Sequence, residues 1–321
     1  MFPGQGTQAV GMGRDLYESS PAARAVIDLA DDTLGFPLSR LLFEGPADAL
    51  QSTINTQPAV VAVSLAALAA FRESWEAVQG ESLPRPACVA GHSVGEYTAL
   101  VASGAAPAAT GIRLVRERAR LMQEAGERQP GGMVAVLGLQ REAVEAACRA
   151  ARQEVPGSYV TVANLNAPTQ IIIAGDGAGL EAAQRHCRAA GARRTRPLPV
   201  SAAFHSAAMR PAAAPLAMAI AGAGIGSASV PLVGNVDARF LTGADDLRRE
   251  LSEQVAQPVL WADSVQRMIE EGVTVFLEFG AGQVLTGLVQ RLEGDLQAMA
   301  VGDASMAQAA VPWLAERAAT G

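Results

Sequence analysis

Short apolar runs rich in Val, Ile and Ala alternate along this chain with longer stretches in which apolar positions recur every three or four residues. The first pattern suits covered strands and the second amphipathic helices. Their alternation predicts an α/β architecture with a mostly parallel sheet covered by helices. Ala87-Cys88-Val89-Ala90 reads as one such strand and 107–125 as a long helix. Between about residues 131 and 200 the rhythm changes. There, 133–137 reads as a strand, 142–153 as a helix, 159–163 and 171–174 as strands, 180–190 as a helix and 194–198 as a strand.

This second rhythm has the order βαββαβ, the ferredoxin-like split unit. The spacing therefore predicts a small domain over 130–198, inserted into a large α/β domain made of 1–129 and 199–321, with crossings near 126–132 and 197–201. The Ala-rich stretch 202–223 keeps helical periodicity.

At 321 residues and half apolar, the chain has enough length for a full core. No stretch is expected to span a membrane, and Met1-Phe2-Pro3-Gly4 lacks the basic start and apolar run of a signal peptide. A cytoplasmic location without membrane association is the expectation. Cys88, Cys148 and Cys187 are isolated from one another, which suits neither a metal knuckle nor a disulfide framework. The net charge of -7 argues against nonspecific binding to nucleic acid or an anionic membrane, since both need a basic surface. All 25 basic residues are arginine, a cation that keeps its charge when buried and grips carboxylates in a fixed fork.

Chemistry enters at Gly91-His92-Ser93-Val94-Gly95, a Gly-x-Ser-x-Gly placed directly between the strand ending at Ala90 and a helical stretch. In such an elbow the glycines relieve crowding at a sharp turn, and the serine hydroxyl stands at a helix N-terminus that favours developing negative charge. Ser93 is the candidate nucleophile. It needs a base, and the chain offers three histidines. His92 abuts Ser93 and should leave the turn in another direction, as a supporting or packing residue. His186 lies on a polar helix face. His205 sits in the irregular stretch where the chain re-enters the large domain, a common catalytic setting, and is the candidate base.

The helix that follows carries a second clue. Projected at roughly 100° per residue, Arg113, Arg116 and Arg120 cluster on one side while Leu114, Val115, Leu121 and Met122 fall on the other, with Arg118 among them. An inward guanidinium needs an anion. Either a protein carboxylate supplies it, or the carboxylate of a dicarboxylic acyl group does.

These residues resemble the malonyl-CoA:acyl carrier protein transacylase family and the related acyltransferase domains of polyketide synthases, over about 2–288. The matching signatures are Phe2-Pro3-Gly4-Gln5-Gly6-Thr7-Gln8, Gly91-His92-Ser93-Val94-Gly95-Glu96-Tyr97, the Arg118 helix, Asn164-Leu165-Asn166-Ala167-Pro168 and Phe204-His205. Further matches are Asn235-Val236-Asp237, Gln254-Val255-Ala256-Gln257-Pro258-Val259 and Glu278-Phe279-Gly280-Ala281-Gly282-Gln283-Val284-Leu285.

The resemblance implies a hydrolase-like large domain and a ping-pong transfer of malonyl from malonyl-CoA to acyl carrier protein, for fatty-acid synthesis or, alternatively, a polyketide or malonate-decarboxylase system. It implies that Ser93 carries the acyl ester, that His205 moves the proton and that the Gln5 and Val94 N–H groups form the oxyanion hole. Arg118 would hold the malonyl carboxylate, with Phe204 and Asn166 at the substrate, and the Gln254 carbonyl would orient His205. A bulky Phe204 should crowd an α-methyl branch. No metal and no cofactor beyond the coenzyme A thioester are implied, and a monomer is expected. Carrier proteins are acidic, so Arg185, Arg188, Arg193 and Arg194 are candidate docking residues. The family usually has several apolar residues before Phe-Pro-Gly-Gln-Gly, whereas this chain starts at Met1-Phe2, so the first strand should be nearly missing. A serine esterase or thioesterase would share the elbow and histidine but would need an apolar acyl pocket and an acidic partner for the histidine; Arg118 speaks against it.

Overall fold

The computed structural model describes residues 1–292 and 294–318. Among them lie nine strands: β1 (Val89–Ala90), β2 (Gly132–Leu137), β3 (Val160–Ala167), β4 (Gln170–Gly175), β5 (Arg194–Pro197), β6 (Leu232–Val233), β7 (Phe240–Leu241), β8 (Val275–Phe279) and β9 (Gln297–Val301). β1 and β6 pair in parallel and β7 closes their edge antiparallel. β8 and β9 form a second parallel pair.

Met1 and Phe2 join these two groups. The Phe2 N–H donates to Ala90 O (2.9 Å) and the His92 N–H to Phe2 O (3.0 Å). On the other side the Met1 amine donates to Leu277 O (2.6 Å) and the Phe279 N–H to Met1 O (3.0 Å). The first strand is nearly missing, as expected, with one bridge between Phe2 and Gly91, yet Met1 and Phe2 carry four ladder bonds. Covered on both faces, these strands are short and apolar, as parallel sheets require.

The β2–β5 segment has the predicted βαββαβ order, with the helices Arg141–Glu154 and Gly177–Ala189 after β2 and β4. Its sheet runs β3-β4-β2-β5, every pair antiparallel. It buries its own apolar cluster, including Val134, Val144, Cys148, Ile171, Ile173 and Cys187. Asp176 starts its second helix by accepting from Gly179 N–H (2.7 Å), while also holding Tyr159 N–H (2.8 Å). β3 is tied to the rest of the molecule by the Leu165 N–H to Val259 O and Val259 N–H to Ala163 O bonds, both 2.9 Å.

One further sequence expectation is qualified and one is corrected. The helix Thr53–Gln79 is long and apolar enough to cross a membrane, yet 83% of its most apolar window is buried inside the molecule. It packs against the helices Pro21–Leu34, Ala108–Arg128 and Ala304–Ala318, so its hydropathy is that of a central core helix. The helical periodicity of 202–223 begins only at a short 3₁₀ turn, Ala207–Met209, followed by the helix Arg210–Ala221. Upstream the chain is irregular because His205 takes a left-handed backbone, φ 56°.

Candidate active site

β1 ends at Ala90 and the chain turns through Gly91-His92-Ser93-Val94 into the helix Gly95–Ala102. Both glycines are sterically required. A Cβ on Gly91 would lie 2.0 Å from the Gly95 carbonyl carbon, and one on Gly95 would lie 2.2 Å from Phe2 O. Ser93 itself sits at φ 52°, in the left-handed region that a non-glycine residue adopts only under constraint from its surroundings.

Ser93 Oγ lies 2.7 Å from His205 Nε2. His205 Nδ1 faces two main-chain carbonyls, Gln254 O at 3.0 Å and Gln257 O at 3.1 Å. A proton on Nδ1 donates to them and leaves the Nε2 lone pair to accept from the serine hydroxyl. Burial, reinforced by the positive charge of Arg118, pushes the His205 pKa down to about 3. The imidazole is therefore neutral, as a general base must be.

Arg118 is 1% exposed. Its Nη1 donates to Gln57 Oε1 (2.7 Å), and its Nη2 donates to Gln254 Oε1 (2.8 Å) and Ser93 Oγ (3.1 Å). All these acceptors are neutral oxygens, and its Nε has no acceptor among the described residues. Tyr97 lies beneath the guanidinium, 5.6 Å from the ring centroid. The site thus holds a buried cation against the nucleophile with spare donor capacity, the arrangement that a small carboxylate would complete.

A hydrogen-bonded frame holds the elbow from behind. Asn235 Oδ1 accepts from Ser93 N–H (2.7 Å), and Asn235 Nδ2 donates to Gly91 O (2.8 Å). Gln254 Nε2 donates to Ser93 O (2.8 Å) and to Glu96 Oε2 (2.7 Å).

The other candidate residues fall as follows. The Gln5 and Val94 N–H groups have no acceptor among the described residues. Phe204 is buried beside His205. The Asn166 side-chain oxygen bonds His92 Nε2 at 2.8 Å, and the His92 ring packs on Trp261 with centroids 5.6 Å apart. His186 pairs with Glu154 on the surface of the small unit. Arg185 is held by Glu154 and Glu181, and Arg188 donates to Thr195, whereas Arg193 and Arg194 are exposed.

Residues 1–308 match the family described as acyl transferase domain. The chain belongs to that family. This acyl transferase is 42% identical over 316 residues to the malonyl CoA-acyl carrier protein transacylase of Bacillus subtilis, covering 98% of this chain and 96% of that protein. It is 40% identical to the protein of the same name from Escherichia coli K12, covering 97% of each. Among solved structures it resembles an acyl carrier protein S-malonyltransferase from Vibrio cholerae, with a TM-score of 0.88 and 39% identity over 96% of this chain and 98% of that one. It also resembles a malonyl-transacylase solved in complex with a type II polyketide acyl-carrier protein, with a TM-score of 0.89 and 40% identity over 97% of each chain.

Several residues that build the acyl transferase site carry no role in the sequence reading: Gln57, Gln257, Glu250, and the side chains of Asn235, Glu96 and Gln254. Asn235, Glu96 and Gln257 stand inside the quoted signatures, so their positions were flagged without a function. Gln57 and Glu250 lie in helices at distant points of the chain and have no local pattern to reveal them.

Proposed function

We propose that this acyl transferase moves a malonyl group from malonyl-CoA to the phosphopantetheine thiol of an acyl carrier protein, through a malonyl ester on Ser93. The observation that carries the proposal is Arg118: buried, within 3.1 Å of the Ser93 hydroxyl, and bonded only to neutral oxygens. A terminal carboxylate on the acyl group supplies the missing anion and sets the thioester carbonyl over Ser93.

In the first half-reaction Ser93 Oγ passes its proton to His205 Nε2 and attacks the thioester carbonyl. The C–S bond breaks, and the coenzyme A thiolate leaves with the proton from His205. In the second, the carrier thiol gives its proton to His205, its sulfur attacks the malonyl ester, and Ser93 leaves reprotonated. The Gln254 and Gln257 carbonyls orient His205, a role that a carboxylate fills in many hydrolases. The unpartnered Gln5 and Val94 N–H groups serve as the oxyanion hole, each worth about 3 to 4 kcal/mol of barrier. Phe204 narrows the acyl pocket against an α-methyl branch. Asn166 acts on the substrate side through His92. No metal or redox cofactor takes part.

The fold supports a finer division of the chain. We assign 130–198 as a ferredoxin-like insert and 1–129 with 199–321 as a hydrolase-like domain; 293 and 319–321 lie outside the described residues. The separate apolar cluster and the β3-β4-β2-β5 order favour this division. Near-complete overlap with malonyl CoA-acyl carrier protein transacylases favours a role in fatty-acid synthesis, and a cytoplasmic monomer is proposed with it. We assign the docking surface for the acidic carrier to Arg193 and Arg194 of the small unit, with Arg185 and Arg188.

The test is to incubate the protein with radiolabelled malonyl-CoA, acetyl-CoA and methylmalonyl-CoA, and to isolate the acyl-enzyme. Label from malonyl-CoA alone, absent in Ser93→Ala and lost with Arg118→Ala, is the expected result. Stable acetyl label, or turnover surviving in Ser93→Ala, refutes the proposal.

A further inference from the structure

Two carboxyl groups lie buried behind the elbow with no part in the chemistry above. Glu96, on the first turn of the helix Gly95–Ala102, is 0% exposed, and Glu250, on the helix Ala244–Glu253, is 5% exposed. Both converge on one main-chain N–H. Asn235 N donates to Glu96 Oε1 at 2.9 Å and to Glu250 Oε1 at 2.7 Å, and Val236 N donates to the same Glu250 oxygen at 2.8 Å. The two carboxyl groups thus meet at one main-chain N–H in a buried site. Two ionised carboxylates crowded together there would repel, so one of them carries a proton.

We propose that Glu96 and Glu250 share a single proton, resident on Glu96, and that this pair is a positioning device that holds the nucleophile and the acyl-carboxylate clamp in register. The proposal rests on Ser93 as nucleophile. The connections are direct. The pair fixes Asn235, whose side chain holds Ser93 N–H and Gly91 O. Glu96 Oε2 fixes Gln254 Nε2, while the same glutamine receives Arg118 on its side-chain oxygen and His205 on its carbonyl. Each member of the site therefore leans on a neutral Glu96.

The charged and titratable neighbours agree with that placement. Burial above all, then repulsion from Glu250, raises Glu96 well above the ordinary carboxylate range; Arg118 opposes this more weakly. Glu250 is raised by burial and by Asp237 but is relieved by the Val236 and Asn235 N–H groups, which makes it the member that stays charged. Tyr97, beside Glu96, is itself raised by burial and stays neutral, and Arg239 feels Glu250 from the loop side. Loss of the Glu96 proton places a second charge next to Arg118. The guanidinium is then drawn towards Glu96 and away from Ser93 and the incoming carboxylate, so the malonyl-CoA KM rises before kcat falls.

Glu96→Gln tests this, because its amide oxygen can accept from Gln254 and its amide nitrogen can donate to Glu250, copying the protonated acid without a titration. Acylation by malonyl-CoA at neutral pH should stay within about threefold of the parent, while Glu96→Ala, which leaves the buried Gln254 amide without its Glu96 acceptor, should lose roughly tenfold or more. In the parent, KM should climb on the alkaline side of the profile, and Glu96→Gln should lack that limb. An identical alkaline limb in Glu96→Gln, or its inactivity while folded, overturns the proposal.

A second readout needs no activity. Glu96 keeps its proton on folding but loses it on unfolding above the ordinary range, so its contribution to stability is full in acid and is lost as pH rises through its raised pKa. The melting-temperature gap between Glu96→Gln and the parent should therefore widen in favour of the amide as pH rises above the ordinary carboxylate range. A constant gap refutes proton sharing even if malonyl transfer itself proves wrong; a widening gap in a protein that forms no malonyl-enzyme refutes only the function.

Discussion

Replacing Arg118 should separate two effects that the same charge exerts. In the proposed reaction the guanidinium holds the acyl carboxylate, and its loss should cost about 3 kcal/mol, roughly a hundredfold in kcat/KM for malonyl-CoA, the upper range for hydrogen bonds to a charged group. It also depresses His205, after burial, so Arg118→Ala should raise the imidazole pKa above about 3. Histidine NMR titration checks the sign: an unchanged or lower value would mean that burial alone sets the basicity. By the same reasoning a bound malonyl carboxylate should offset that charge in the parent, so the substrate would strengthen the base that activates Ser93, and a monocarboxylic acyl group would not. Ser93, His205 and Arg118 were legible in the sequence because each breaks a local pattern: a serine between glycines, a histidine in an irregular stretch, an arginine on an apolar face. Gln57, Gln257 and Glu250 break none. They act through an amide, a carbonyl and a shared proton, and only the packing of distant helices gives them partners.

The same limit holds for whole elements. Sequence periodicity placed the strands and helices of 130–198 within a few residues, since its central strands are short apolar runs and both its helices are amphipathic. It gave no sign that Thr53–Gln79 is the central core helix, whose nearly continuous apolar surface is covered by several neighbours at once. Within that helix Pro58 has no N–H to offer Ile54 O. Arg116, from the helix Ala108–Arg128, takes the freed carbonyl at 2.6 Å and bonds Asn55 Oδ1 at 3.0 Å. Pro58 thus fixes how the two helices meet, one residue past the Gln57 that bonds Arg118. Arg116→Met should keep the aliphatic stem but strand the Ile54 carbonyl, at a cost of about 1 to 3 kcal/mol in urea denaturation; a smaller change would show that water replaces the guanidinium. Gly91→Ala should be worse. Its Cβ meets backbone rather than a flexible side chain, so a loss of about 3 kcal/mol or more is expected by the same measurement.

At the scale of the whole molecule the site is assembled from both parts of the chain. Ser93 stands on the parallel strands, while His205 arrives on the segment that returns from β5, and Gln254 and Gln257 precede the Val259 bridge to β3. The carrier must bring its thiol to this junction although the chain as a whole is negative, with a net charge of -7. An acidic partner is then repelled at long range and needs a local basic surface to orient it. The cations proposed for this are those not already neutralised. Arg185 is tied up by Glu154 and Glu181, whereas Arg193 and Arg194 stand exposed at the start of β5, the strand that leads to His205. Reversing both to Glu should raise the carrier KM roughly fivefold or more and leave malonyl-enzyme formation from malonyl-CoA unchanged, because solvent-exposed charges act on encounter rather than chemistry. The gap between variant and parent should shrink as salt approaches about 1 M, where the screening length is about 3 Å. A variant slowed equally in both half-reactions would place these arginines at the coenzyme instead, and one unaffected in either would move the docking surface off the small unit.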